Sequence, residues 1–198
     1  MLSFSKSEKY VKGLVWPSAT LACVFLVFLL VNCASPQPQR EFTGEKIFRT
    51  TQPSRLFFAN TRSFNYYRKR PKGTDLDVYR LRKFRVTRKR PTLVPIIVDA
   101  YLKDEAYLFI EANEFPGLSD PITFRAATEA KADTFSLDLP SRKGQLEFAT
   151  DLYEGILNGH RIGVLVRDTG FVEIYDKRAD RAAFQAVFKD YYRLTERI

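Results

Sequence analysis

No charged residue stands between Lys12 and Arg40. That gap divides the chain into two parts that must satisfy different solvents. Its centre is the apolar run Leu21-Ala22-Cys23-Val24-Phe25-Leu26-Val27-Phe28-Leu29-Leu30-Val31, eleven residues long, the length of a signal-peptide core. A membrane-crossing helix needs about 20 apolar residues. Extending back from Val31 to Leu14 gives eighteen, but Pro17, Ser18 and Thr20 interrupt that half. Lys6, Lys9 and Lys12 precede the run, and a basic flank stays on the cytoplasmic side. The chain beyond the run is therefore expected outside the cytoplasm.

The run ends in Leu30-Val31-Asn32-Cys33, which resembles the lipobox of bacterial lipoprotein precursors. In that family the peptide is cut before the cysteine, which becomes lipid-modified and begins the mature chain. The resemblance implies lipidation of Cys33 and tethering to a membrane of the cell envelope. With no Asp after the Cys, it also implies the outer membrane in a two-membrane bacterium. Asn32 departs from the Gly, Ala or Ser usual at its position. Two other outcomes remain open on the residues alone: an uncleaved amino-terminal anchor, and a plain signal peptide cut near residues 33–35. All three export residues 36–198.

Cys23 and Cys33 are the chain's two cysteines. The body therefore holds no disulfide and must be stabilised by an apolar core. Residues 1–33 read as the targeting segment and 34–44 as a tether containing two prolines. Residues 45–198 read as a single α+β domain, long enough to bury a sizeable core.

Within that domain, residues 45–70 are rich in Phe and Tyr and read as strands broken at Gln52-Pro53 and Asn60-Thr61. Leu76 to Val86 reads as a strand with a bend near Arg82-Lys83. Ile96 to Leu102 and Ala106 to Ala112 form an expected hairpin across Lys103-Asp104-Glu105. Ile122 to Phe124 and Thr134 to Leu139 are weaker strands. Leu146, Ala149, Tyr153 and Ile156-Leu157 recur at helical spacing, and Asn158-Gly159 supplies the stop. Arg161 to Arg167 and Phe171 to Tyr175 form a second hairpin around Asp168-Thr169-Gly170. Asp176 is the expected cap of a final helix with the stripe Phe184, Val187, Phe188, Tyr191 and Leu194. The expectation is a mostly antiparallel sheet followed by helix, hairpin and helix.

The net charge of +9 is unevenly spread. Residues 62–90 hold twelve Lys or Arg against Asp75 and Asp77, whereas residues 99–154 hold twelve Asp or Glu against five Lys or Arg. Basic residues interleaved with aromatics suit nucleic acid in a cytosolic protein, but export removes that partner. An anionic envelope component or a partner protein remains, with Arg68, Lys69, Arg70, Arg80, Arg82, Arg88, Lys89 and Arg90 as candidate contacts. The plainer alternative is that the basic and acidic segments neutralise each other across neighbouring strands.

Chemistry is sparse. His160 is the single histidine and comes just after a helix stop, and the body has no cysteine. The usual zinc and thiol sites are thereby excluded. No Gly-x-Ser-x-Gly elbow, phosphate loop or dinucleotide fingerprint occurs. Glu111 and Glu114 could suggest an acid/base pair, but they read as a strand end and its loop. Neither a metal nor a cofactor is expected. The chain reads as a non-enzymatic binding or scaffolding lipoprotein. Its alternatives are an envelope hydrolase using carboxylates of residues 99–154, or a structural subunit of an envelope complex.

Overall fold

Two runs of β-branched and aromatic residues, each turned back on itself, generate two separate antiparallel sheets. The computed structural model describes residues 48–84, 86–137 and 141–196, all within the unit Thr43–Ile198. The targeting segment, the tether and Cys33 lie outside the described residues. Among the described residues no helix is long and apolar enough to cross a membrane.

The first element is helical, not extended. Helix α1 (Gln52–Phe57) runs on through a π-turn (Phe58–Arg62) and a 3-10 turn (Ser63–Asn65). The strands expected here give way because Thr51 and Ser54 form a reciprocal capping box, with Pro53 in the first turn. Local capping defeats the β preference of Phe57 and Phe58. The strand in this region is β1 (Tyr66–Lys69), and Arg49 ahead of the helix makes an isolated antiparallel bridge to Glu105.

Strands β1, β2 (Asp77–Leu81), β3 (Leu93–Ala100) and β4 (Glu105–Ala112) form the first sheet, in that order. β2 stops at Leu81, short of the expected Val86, because the chain turns at Arg82-Lys83. Pro95 is tolerated in the inner strand β3 because it lies one residue beyond the register with β2, which ends at Arg80 opposite Ile96. β4 is an edge. There the Ile110 N–H donates to the Gln145 side chain at 2.8 Å, so a helix residue satisfies a group that an open edge would leave unpaired.

The second sheet has the order β6-β5-β7-β8, with β5 Ile122–Ala127, β6 Ala132–Leu137, β7 Arg161–Val166 and β8 Gly170–Ile174. Helix α2 (Arg142–Leu157) precedes β7, and helix α3 (Arg178–Leu194) comes after β8. The fold is therefore α+β with antiparallel strands, split into two sheets where one was expected. Gly159, at φ +74°, takes the left-handed position that ends α2.

Packing links these parts. Gly155 brings α2 close to the second sheet: a Cβ there would meet Ile162 at 3.0 Å and Ala126 at 3.3 Å. Phe148, Ala149, Leu152 and Ile156 are buried, and α2 packs on β4 through its other side. The α3 stripe Phe184, Val187, Phe188, Tyr191 and Leu194 is buried, and α3 packs on β3, β4 and α2. It thus covers its own domain. Each fully buried Leu, Val or Phe contributes about 1.5–3 kcal/mol.

Candidate anion-binding cleft

The eight candidate cations do not form one free patch, because strand register brings carboxylates to most of them. Asp77 in β2 accepts from Arg68 at 2.6 Å and from Arg70 at 2.8 Å. Burial pushes the Asp77 carboxyl up, but the hydrogen bonds from Arg70 and Arg68 prevail and hold it below its ordinary value. Arg80 forks onto Glu111, its Nε at 2.8 Å. Arg88 reaches Glu114 at 2.6 Å and Arg90 reaches Asp176 at 3.1 Å. Arg82 lies 4.7 Å from the Tyr67 ring centroid and donates to the Tyr66 carbonyl. Neither Lys69 nor Lys89 has an ion pair among the described residues.

These pairs also account for Glu111 and Glu114, which anchor arginines. Asp176 does not cap α3 as expected. The cap position is Lys177, without a side-chain bond, and Asp176 turns instead to Arg90, which draws its carboxyl below the ordinary range.

The cause of that turn is Tyr175. It adopts φ +56°, a conformation non-glycine residues rarely take. Three restraints hold it there. Its buried hydroxyl donates to the Leu93 carbonyl, the Tyr175 carbonyl accepts from Arg181 Nε at 2.7 Å, and its ring packs edge-on to Phe84 and Phe184. Burial raises the phenol well above its ordinary value, which keeps it a neutral donor. The second Arg181 arm binds the His160 carbonyl, so His160 belongs to this scaffold.

The reversal at Tyr175 opens a cleft of about 700 Å³ between residues 82–92 and the start of α3. Arg82, Lys83, Arg90 and Lys177 line it, over Phe84 and Tyr175, against Asp176 and Asp180. Four cations meet two carboxylates; neither Lys83 nor Lys177 forms an ion pair among the described residues, although Lys177 lies near enough to help lower the Asp176 carboxyl. The size suits a small ligand site. Arg82 and Arg90 were candidates from the sequence; Lys83 and Lys177 were not. In the sequence Lys83 reads as part of a bend and not as a contact, and nothing there joins Lys177 to it.

A second, smaller cleft of about 260 Å³ lies between β6 and α2, lined by Ser136, Glu147 and Asp151 among others. Burial, then Glu154 and Glu147, push the Asp151 carboxyl up to about 6. Among the described residues no three His, Cys, Asp or Glu side chains are grouped to hold a metal. No protein-family model, curated protein or solved structure matches the chain.

Proposed function

We propose that the chain is an exported lipoprotein tethered to a membrane of the cell envelope through Cys33. Its domain is a non-enzymatic binding module that takes an anionic envelope component in the cleft of Arg82, Lys83, Arg90 and Lys177. The single observation that carries the binding-module reading is the meeting of Lys83 and Lys177, neither held in an ion pair, in one concave site, while most arginines of the basic run are internally neutralised. Unpaired ammonium groups retain their attraction for an incoming anion. The carboxy-terminal helix, hairpin and helix carry half of this site, through Tyr175 to Asp180.

Calorimetric titration of the full chain with dextran sulfate and neutral dextran tests the reading. Salt-dependent binding to the sulfated polymer alone is expected. Lys83→Glu with Lys177→Glu weakens it about tenfold, a difference of about 1.4 kcal/mol, while Lys103→Glu with Lys189→Glu, at exposed positions away from the cleft, leaves it near wild type. Equal loss in both double variants sinks the cleft. The alternative reading, an envelope hydrolase, draws its support from Asp151 raised to about 6 beside Glu147. A hydrolytic activity unchanged by Asp151→Asn removes it.

A further inference from the structure

The helical run at the start of the domain carries an apolar face that the core does not use. Among the described residues seven large apolar side chains are exposed, and four of them, Leu56, Phe57, Phe64 and Tyr67, fall within twelve consecutive positions. Such concentration distinguishes a patch from the scattered apolar residues of any surface. Positions 52, 53, 56, 57, 59, 60, 61 and 64 of the run are exposed, and Leu56, Phe57 and Phe64 are the large apolar side chains among them.

The opposite face is fixed in three places. Ser54 Oγ donates to the Leu194 carbonyl at 2.7 Å. Phe58 is buried edge-on to Tyr79. Arg62 forks onto Asp190 at 2.7 and 2.9 Å, and the Tyr66 hydroxyl joins that carboxylate. The run therefore cannot roll to bury Leu56, Phe57 and Phe64. They are held outward.

Charge selects the occupant. Residues 52–72 contain six Lys or Arg and no Asp or Glu. Carboxylates from elsewhere pair Arg55, Arg62, Arg68 and Arg70, leaving Lys69 and Lys72 unpaired among the described residues. A second copy meeting this face by two-fold symmetry would place these cations together. Aliphatic and aromatic side chains bordered by Lys, with Arg82 stacked on Tyr67, match instead the boundary between lipid headgroups and acyl chains. Chain length makes that boundary accessible: Gln52 stands nineteen residues after Cys33, a reach of at most about 65 Å.

We infer that Leu56, Phe57 and Phe64 insert into the interface of an anionic phospholipid bilayer, with Tyr67, Lys69 and Lys72 at headgroup level. The domain is then docked on the membrane that tethers it. This inference rests on the tethered reading of Cys33 and is independent of the ligand cleft.

The test uses the full chain reconstituted into phosphatidylcholine vesicles with or without phosphatidylglycerol. Trp16 is the single native tryptophan and leaves with the peptide in the lipoprotein reading. If it stays, wild-type emission is subtracted. Phe64→Trp and Phe57→Trp are each expected to show blue-shifted emission that brominated acyl chains quench, most strongly with phosphatidylglycerol. Leu157→Trp, at an exposed position on α2, is expected to be unquenched. A chain that floats with vesicles while both reporters stay unquenched overturns the membrane face and leaves the tether standing. Failure to float removes the tether, and the docking with it.

Discussion

The two sheets are held by different forces. In the first, carboxylates are drawn inward and matched: Asp190 with Arg62 and Tyr66, Asp77 with Arg68 and Arg70, Asp99 with Arg55. In the second, Phe124 stacks on Phe135 and meets Phe148 edge-on. The ionic contact there is the exposed pair of Lys131 and Asp133. The contrast reveals how each region fixes position. Apolar packing drives burial but tolerates sliding, whereas a forked arginine on a carboxylate admits one geometry. The first sheet uses such pairs where short irregular pieces, the helical run and β1, must be placed against α3.

Asp190→Ala challenges this contrast most strongly. The Asp190 side chain is 0% exposed, so its removal strands the Arg62 guanidinium and the Tyr66 hydroxyl. A loss of about 3–5 kcal/mol in denaturant unfolding is expected. A loss below about 1 kcal/mol would show that the pair merely decorates a sheet held by its apolar core. Next is Leu152→Ala, a fully buried residue on α2, with an expected loss of about 2–5 kcal/mol from transfer and cavity terms. Unlike an exposed ionic pair, its effect should not change between low and high salt.

The smallest effect concerns Asp151, a half-buried carboxylate on α2 near Glu147 and Glu154, with no ion pair to a cation among the described residues. Its folded-state value of about 6 exceeds the ordinary 3.8, so the native state binds the proton more tightly than the unfolded chain. Stability from this group is complete below about pH 4, falls as pH rises to about 6, and stays lost above. Asp151→Asn should therefore stabilise the protein near neutral pH and give no gain near pH 4. Because the group is half-exposed, the expected gain is about 1 kcal/mol after solvent screening. Parallel pH profiles for wild type and variant would refute the assignment.

Periodicity made much of the fold legible. The α2 and α3 stripes and the β3–β4 and β7–β8 hairpins arise from spacing and turn residues. The helical run over 52–65 was hidden by Phe57, Phe58 and Phe64, since aromatic residues favour strands. The signal that could have revealed it was Thr51-Gln52-Pro53-Ser54, in which the Thr51 and Ser54 hydroxyls each accept from the other's backbone N–H. The division into two sheets was not legible, since strand order depends on tertiary packing. The basic run was plain as composition, but its neutralisation was not. Arg80 meets Glu111 across β2, β3 and β4, and Arg90 meets Asp176 from beyond the second sheet. Such pairs exist only once register is set. Lys83 and Lys177 converge for the same reason, through a reversal at Tyr175 that no turn-forming residue announces.

The bond from Ile110 to Gln145 also governs assembly. A sheet with two open edges can recruit copies without limit, as fibres do. Here α2 lies against β4 and closes that side, leaving β1 as the exposed margin of the first sheet. Pairing of two copies through β1 would bring Lys69 close to its own equivalent, so charge guards this margin. The first sheet thus guards its two margins differently: α2 with Gln145, and the Arg49 bridge to Glu105, cover β4, while cations line β1.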